Sequence, residues 1–404
     1  MEHTSPNTLS PKKLAALLAV LAALMPFATD MYLPAIPIMA DALSANIHRI
    51  EQSLSSFLFG CAIGQLLGGA LSDLKGRRSI ALLGAIIYLI ASIIMMRTDS
   101  IDALLFWRMV QAAGAGIATV TIGATVRDFF QGREAAKMFT TIGIIMMAAP
   151  LAAPMLGAIL LEQFGGWRSI FAFLAAYGVL VCVLLWRFMP QKPFTPQPLN
   201  YHVFADIVRN FAQVFRQPEA LGFLFMQAFC FSSMFVFLTE SSFVYMEHYG
   251  LNPRQYAWAF GANIITMMLF NRITAYRLRT TDAKNILLSG VAIQFICNLC
   301  LAVAVWTWHL PPFFIILIFM MFSVGSAGLI SSNAMACYMG YFHKGGGSAN
   351  AVLGVSQFVI AAGVGWLTTY LHNGTAYVMP SMMLASTLFG IALLWLLSRR
   401  AWQN

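Results

Sequence analysis

Three ionisable residues interrupt apolar stretches of the sequence, where a charge is costly. Asp30 lies in the segment Pro26-Phe-Ala-Thr-Asp-Met-Tyr-Leu-Pro34, Arg108 lies early in a later apolar run, and Glu240 lies near the end of another. A charge inside a bilayer costs about 2.5 to 3.5 kcal/mol even on insertion scales, so such residues mark ion pathways and proton relays more often than packing. These three residues are therefore candidates for binding and proton transfer.

Asp30 allows two interpretations. It is either a structural carboxylate paired with Arg108, or a protonation site whose charge depends on the balance between burial and the nearby guanidinium. It is the one carboxylate that we place well inside an apolar run of the first half, and the neighbouring prolines can bend the helix towards a cavity. Glu240 is either a second proton-coupling group or a residue that meets water at the membrane surface.

The composition excludes most other classes of protein. Of 404 residues, 59% are hydrophobic and 10% are charged, whereas soluble domains are roughly half apolar and a quarter charged. The net charge of +9 is not gathered on one exposed domain, so we predict no nucleic-acid partner. Phosphate-loop and nucleophile-elbow motifs are missing, and the six Cys show no paired metal-ligand spacing. We therefore predict no enzyme activity, catalytic residue, metal or cofactor, and no histidine proton relay.

Apolar runs long enough to cross a bilayer recur twelve times along the chain. The second run extends over 53–71, and the eighth is interrupted by Asn263, Asn271 and Arg272. A proline-rich polar connection separates the first six runs from the last six. These features predict an all-α membrane protein with an N-terminal tail (1–13), a six-helix bundle (14–189), a linker (190–219), a second six-helix bundle (220–398) and a C-terminal tail (399–404).

The distribution of basic residues predicts the orientation. Most of the 24 Lys and Arg fall in the tails and in the alternate connections on the same side, and only Arg49, Arg97, Arg168 and Arg254 fall in the connections of the other side. Because cytoplasmic loops carry the excess of Lys and Arg, both termini are predicted to be cytoplasmic. For a bacterial protein this is the inner membrane.

Three motifs resemble those of the major facilitator superfamily. The loop Gly69-Ala-Leu-Ser-Asp73-Leu-Lys-Gly76-Arg77-Arg78 resembles its signature between the second and third helices, and Arg108-Met-Val-Gln111 resembles its fourth-helix motif. Pro150, Pro154 and Gly157 in the fifth run are similar to its antiporter motif, with Ala153 and Ala158 in place of customary glycines. The resemblance implies a major facilitator fold of two pseudo-symmetric bundles, with the substrate site between them near the bilayer midplane.

A closer resemblance is to the bicyclomycin-resistance (Bcr/CflA) subfamily of drug exporters. It rests on Asp30-Met-Tyr-Leu-Pro34, on Arg127-Asp128, on Gly166-Trp167-Arg168 and on 347–354, and it extends over almost the whole chain. It implies a monomeric drug/proton antiporter whose partners are small molecules, protons and the lipid bilayer. An exporter of an endogenous metabolite or siderophore on the same fold remains an alternative, whereas a membrane sensor or enzyme lacks the signalling domain or catalytic cluster that it requires.

Roles for individual residues follow from the ionisable groups within the apolar runs and from the fold that the resemblance implies. We expect Asp30 and Glu240 to couple protons, with Arg108 as the charge partner of Asp30. The residues expected to line the substrate cavity are Tyr32, Phe231, Phe235 and Asn333. The predicted cytoplasmic gate comprises Gly69, Asp73, Gly76, Arg77, Arg78 and Ser348, with Asp73 approaching the start of the eleventh helix in the outward-open state, where a carboxylate is favoured.

Overall fold

The computed structural model describes residues 10–191, 212, 214–308, 310–342 and 346–399. Residues 1–9 of the predicted N-terminal tail, most of the predicted linker 190–219 and residues 400–404 of the C-terminal tail lie outside the described residues. The described part of the chain is helical, with no strand in it. The predicted fold class, an all-α membrane protein, is therefore confirmed.

Twelve long helices succeed one another along the described chain. Eleven of them are long and apolar enough to cross a membrane. The exception is the eighth, which has 25 residues and is interrupted by the polar side chains noted above. The helices are α1 (Pro11–Ala42), α2 (Ile47–Lys75), α3 (Arg77–Met95), α4 (Ile101–Phe129), α5 (Gly132–Phe164), α6 (Arg168–Phe188), α7 (Pro218–His248), α8 (Pro253–Arg277), α9 (Ala283–Trp308), α10 (Phe313–Met339), α11 (Gly346–Leu371) and α12 (Val378–Leu397).

Two helices depart from regular geometry where the candidate residues lie. α1 is divided into the helical segments Pro11–Ala22, Leu24–Asp30 and Ile36–Ala42, with a 3₁₀ turn at Leu33–Ala35. The prolines around Asp30 account for these interruptions, because each lacks the backbone donor that a continuous helix requires. α7 ends in a π-helical turn, Phe243–His248, a distortion that is frequent at functional sites.

Small residues allow the helices of the first half, α1 to α6, to pack at very short range. A Cβ atom added at Gly64 or Gly60 of α2 would collide with a backbone carbonyl of α4, and one added at Gly114 of α4 would lie 2.6 Å from the Tyr88 nitrogen of α3. Lipid provides no hydrophobic drive for helix association, so such close backbone contacts carry much of the packing energy.

The second half, α7 to α12, packs on the first along α2 and α11 and at one end of the molecule, which we call the His48 end. It contains the first residues of α2 and α8 and the last residues of α1, α5, α7 and α11. Here Ser242 Oγ donates to the Leu33 carbonyl at 2.8 Å, and Arg254 forms an ion pair with Glu162 at 2.7 Å. The opposite end, which contains the Gly69–Arg78 loop, is called the Asp73 end. α2 and α11 pack side by side between the two ends.

The close packing of α2 on α4 makes a stability prediction. Gly64→Ala places a methyl group against the Ala113 backbone, which cannot yield as a flexible side chain would. Overpacking of this kind costs about 1 to 3 kcal/mol. The apparent melting temperature of the detergent-solubilised protein is expected to fall. Gly69→Ala, on the same helix with its nearest neighbour atom 3.9 Å away, is the control and should melt like the wild type. Equal melting of the two variants would contradict the packing argument.

Candidate functional site

Asp30 is buried at the end of the second segment of α1, and its hydrogen-bond partner is the preceding residue. Only 5% of Asp30 is exposed. Its Oδ1 lies 2.7 Å from Thr29 Oγ1, which also lies 3.1 Å from the Met25 carbonyl oxygen and 3.3 Å from that of Pro26. The carboxyl group is thus held by a single hydroxyl that has other acceptors within reach.

This arrangement suits both protonation states of Asp30. A hydroxyl has one proton to donate and two lone pairs. When Asp30 is ionised, Thr29 can donate to the carboxylate. When Asp30 is neutral, its own proton can be donated to Thr29 Oγ1, and the Thr29 proton can then go to the Met25 carbonyl. Thr29 can keep its position in both states. The carboxyl group can therefore exchange a proton with little local rearrangement.

Arg108 is fully buried and is surrounded by aromatic rings instead of carboxylates. Its guanidinium carbon lies 4.3 Å from the ring centroid of Tyr32, 4.7 Å from that of Phe57 and 6.0 Å from that of Phe171. These distances are typical of cation–π contacts, which strengthen when water is excluded. One guanidinium nitrogen donates to Gln111 Oε1 at 2.8 Å, while Nε and the second terminal nitrogen have no hydrogen-bond partner in the structure.

The predicted ion pair between Asp30 and Arg108 is not formed among the described residues. Thr29 takes the carboxylate, and Gln111 together with the rings takes the guanidinium. The physical reason is that the ring of Tyr32, which belongs to the same helix as Asp30, occupies the face of the guanidinium. Arg108 is therefore connected to α1 through Tyr32. The Tyr32 hydroxyl is in turn hydrogen-bonded to Ser53 Oγ of α2 at 2.9 Å.

The other predicted cavity residues fall into two groups. Phe231 and Phe235 lie together on α7 with ring centroids 4.6 Å apart, and Phe231 also contacts Phe358 of α11 at 5.5 Å. These rings form an aromatic cluster in the second half. Asn333 of α10 is buried, but its amide donates to the Leu329 carbonyl of its own helix at 2.7 Å. One of the two N–H groups of this amide is therefore used within its own helix.

Glu240 does not reach water, since it is fully buried at the His48 end. Its Oε2 lies 2.8 Å from His372 Nδ1, and the side chain of His372 is only 1% exposed. Across the boundary between the halves, His48 Nδ1 of α2 lies 2.8 Å from Oε2 of the fully buried Glu51. The two imidazole rings stack with centroids 3.4 Å apart. Two His–Glu pairs, one from each half, therefore meet face to face.

Sequence reasoning missed His48, Glu51 and His372. The apolar run of α2 begins at residue 53, but the helix itself begins at Ile47, which brings Glu51 into the buried part of the molecule. Asp30 is therefore not the one buried carboxylate of the first half. The i,i+3 spacing of His48 and Glu51 on one helix was an available signal. His372 follows the last residue of α11. Its place in the sequence gave no such signal, because only the tertiary fold brings it to α2.

The loop signature joins the Asp73 ends of four helices, α2, α3, α4 and α6. Asp73 and Arg77 form an ion pair, and Arg77 Nε donates to Asp128 Oδ2 of α4 at 3.1 Å. Gly76 has φ +90° and ψ 147°, a conformation that only glycine adopts without strain, and it separates α2 from α3. Arg78 donates to the Trp186 carbonyl of α6. Gly69 lies on α2, and Ser348 lies on α11 with its side chain outside the described residues.

The predicted antiporter motif lies directly against the segment that contains Asp30. Pro150 and Pro154 are inside α5, and a Cβ atom added at Gly157 would collide with the Met31 carbonyl oxygen and lie 3.3 Å from Pro34. A glycine at this position lets the backbone of α5 approach α1 immediately after Asp30. The contact between Gly157 and Met31 therefore joins the motif of α5 to the part of α1 that carries Asp30.

Comparisons with known proteins identify the family and the fold. Residues 18–366 match the family model of the Major Facilitator Superfamily. The chain is 31% identical over 386 residues to a bicyclomycin resistance protein homolog of Haemophilus influenzae, covering 95% of each chain. It is 28% identical over 372 residues to a chloramphenicol resistance protein of Pseudomonas aeruginosa, covering 90% of this chain and 86% of that one. The fold is similar to that of the partially occluded, inward-open xylose transporter of E. coli, with a TM-score of 0.73, 15% identity and coverage of 95% and 97%.

The contact between α5 and Met31 makes a prediction about transport. Gly157→Ala should fold and insert, but the added methyl group displaces α1 beside Asp30, and transport is expected to fall to a small fraction of the wild-type rate. Gly143→Ala, on the same helix with no atom within 4 Å of the added group, is the matched control. Rates are compared in proteoliposomes at equal protein content. A Gly157→Ala protein as active as the Gly143→Ala protein would contradict the prediction.

The aromatic surroundings of Arg108 make a second prediction. Arg108→Lys keeps the charge but loses the planar group that stacks on Tyr32 and bonds Gln111. Since a cation–π contact is worth about 0.5 to 2 kcal/mol, the transport rate should fall by about tenfold. Arg97→Lys, at an exposed position, should leave the rate unchanged. If Arg108→Lys transports at the wild-type rate with the same pH profile, charge alone is sufficient at this position.

Proposed function

This chain belongs to the major facilitator superfamily, and on that premise we propose that it exports small, partly apolar compounds such as antibiotics in exchange for protons. The family and the fold make it a multi-pass membrane transporter of small molecules. The substrate class and the proton coupling are our proposal. The buried, unpaired Asp30 beside Thr29 is the observation that carries the coupling step.

The proposal of drug-like substrates rests on two supports. The relatives described above are named for resistance to bicyclomycin and to chloramphenicol. In addition, the aromatic cluster of Phe231, Phe235 and Phe358 lies on α7 and α11, helices that border the boundary between the halves. Aromatic faces accommodate apolar compounds of varied shape without a fixed hydrogen-bonding pattern, which suits export of several compounds by one site.

The proposal of proton coupling rests on the surroundings of Asp30. A carboxylate deep in a membrane protein is expensive unless it has a partner or a task, and Asp30 has no cation partner among the described residues. Thr29 provides for both the ionised and the neutral carboxyl group. Proton uptake by Asp30 would remove its charge, and α1 could then change its packing against α5 without carrying a buried charge through apolar surroundings.

The orientation completes the proposed cycle. We place the Asp73 end at the cytoplasm of a bacterial inner membrane, with both termini on that side, because of the distribution of Lys and Arg. The contacts at the His48 end then close the outer side, and the protein works as a monomer. Separation of these contacts, with Asp73 approaching the start of α11 at the other end, would open the outer side and release the compound. Glu240 would be a second group that takes part in proton coupling.

Replacement of Asp30 by Asn tests this function. Asp30→Asn keeps the size and most hydrogen bonding but cannot take up a proton. We expect it to fold, insert and exchange compound across inverted vesicles without a gradient, but to lose accumulation of labelled chloramphenicol driven by a pH gradient. Asp102→Asn changes a carboxylate that is 79% exposed and should leave accumulation unchanged. Full uphill transport by a well-expressed Asp30→Asn protein would move the coupling role to Glu240.

The same vesicles separate antibiotics from an endogenous substrate. Proton release on addition of bicyclomycin or chloramphenicol to the reconstituted protein is expected if it is a drug exporter. If neither compound nor a wider panel of antibiotics releases protons, while extracts of the cell's own metabolites do, the alternative of a dedicated metabolite or siderophore exporter takes its place.

A further inference from the structure

A compact group of histidines and glutamates lies in the boundary between the two halves at the His48 end. We call it the seam cluster, and it consists of His48, Glu51, Glu240 and His372. The side chains of Glu51 and Glu240 are 0% exposed, that of His372 is 1% exposed and that of His48 is 14% exposed. Four ionisable side chains have thus been taken out of water together, which the transport of an apolar compound through the central region does not require.

The orientation of both imidazole rings is that of metal-binding histidines. His48 Nδ1 and His372 Nδ1 each lie 2.8 Å from a glutamate oxygen, on Glu51 and Glu240 respectively. In the tautomer that donates Nδ1–H to the carboxylate, the lone pair of each ring is on Nε2. Metal-ligating histidines almost always donate their other ring nitrogen in this way, which fixes the tautomer and raises the basicity of the ligating atom.

The seam cluster also contains buried polar atoms that lack a hydrogen-bond partner. Glu51 Oε1, Glu240 Oε1 and His372 Nε2 are all buried without a hydrogen-bond partner in the structure. A buried polar atom without a partner costs about 1 to 3 kcal/mol, so three at one place indicate a missing ligand. These atoms are an imidazole nitrogen and two carboxylate oxygens, all of which are lone-pair donors to a cation.

The spacing of the ligand atoms fits one small ion. One atom each from His48, Glu240 and His372 lie within 4.8 Å of one another. In tetrahedral zinc sites the ligand atoms lie about 2.0 to 2.2 Å from the metal and hence about 3.4 Å apart, so the side chains would have to close around the ion by up to about 1.4 Å for a pair of ligand atoms. Imidazole nitrogen favours Zn²⁺ and other transition metals over Mg²⁺ and Ca²⁺, which prefer oxygen ligands.

We propose that His48, His372 and Glu240 bind a divalent transition metal ion, with Glu51 as the residue that orients His48. The ligands come from both halves, since His48 belongs to α2, Glu240 to α7 and His372 follows α11. The ion therefore bridges the halves. Any conformation that separates them at the His48 end loses at least one ligand, so the bound ion favours the conformation described here.

Access to the site does not pass through the central region. His48 is the second residue of α2 and is the most exposed member of the cluster. His372 lies in the connection between α11 and α12. An ion in the aqueous phase at the His48 end can thus reach the cluster directly, and Phe243 of the π-helical turn, whose ring packs against both imidazoles at 5.3 and 4.6 Å, closes the other side.

Direct binding measurements test the site in the full-length protein in detergent. After removal of metals with a chelator, Zn²⁺ is titrated by calorimetry and the bound ion is counted by mass spectrometry. One Zn²⁺ per chain is expected, with a higher melting temperature because the ion binds only the folded state. His48→Ala and His372→Ala should each weaken binding by more than about 100-fold, and Glu51→Gln by about 10- to 100-fold as an orienting residue.

The control is His248→Ala, a histidine near the cluster but outside the proposed ligand set, which should bind Zn²⁺ like the wild type. Binding is measured without transport, so its result is independent of the export proposal. The site is refuted if the folded wild type binds no Zn²⁺, or if His48→Ala and His372→Ala bind it unchanged. In the first case, loss of melting temperature on mild acidification in wild type but not in His48→Ala would assign the cluster to protons instead.

Discussion

The absence of water around the helices is the constraint on which the rest of this structure depends. Every ionisable group between the two membrane surfaces must be satisfied by its neighbours. Asp30 is satisfied by the hydroxyl of Thr29, Arg108 by aromatic rings and Gln111, and Glu240 by His372. None of these solutions is a simple ion pair, and each leaves some hydrogen-bonding capacity unused. That unused capacity is where a proton, a substrate or a metal ion can act.

The helices of the two halves are held together by different interactions. In the first half, glycines such as Gly64 and Gly114 bring backbones into direct contact. In the second half, the Asn298 amide of α9 donates to Ser233 of α7 and Thr387 of α12, and its carbonyl accepts from Ser323 of α10. Close backbone packing and hydrogen bonds between helices both take the place of the hydrophobic effect, which does not drive helices together in lipid. Among the described residues, the side-chain hydrogen-bond partner of Asp30 is Thr29.

The sequence predicted the helices well because crossing a bilayer requires a long apolar run, which is a local property. It also located Asp30, Arg108 and the α5 motif, since each stands out within its own run. Contacts between distant helices could not be predicted in the same way. The residue of α1 that contacts Arg108 is Tyr32 instead of Asp30, and His372 reaches His48 only through the packing of α11 on α2. An apolar run can also be shorter than the helix that contains it. Glu51 lies before the run that begins at residue 53 but within α2.

The centre of the molecule and the seam cluster are physically connected. The Leu33 carbonyl, close to Asp30 on α1, accepts a hydrogen bond from Ser242, which lies close to Glu240 on α7. The Met31 carbonyl, next to Asp30, packs on Gly157 of α5, whose end carries the Glu162–Arg254 ion pair to α8. Opening of the His48 end, as in the proposed cycle, would break the hydrogen bond to Leu33 and the Glu162–Arg254 ion pair together. The segment of α1 that carries Asp30 would then lose these contacts with the second half in the same movement that separates His48 from His372.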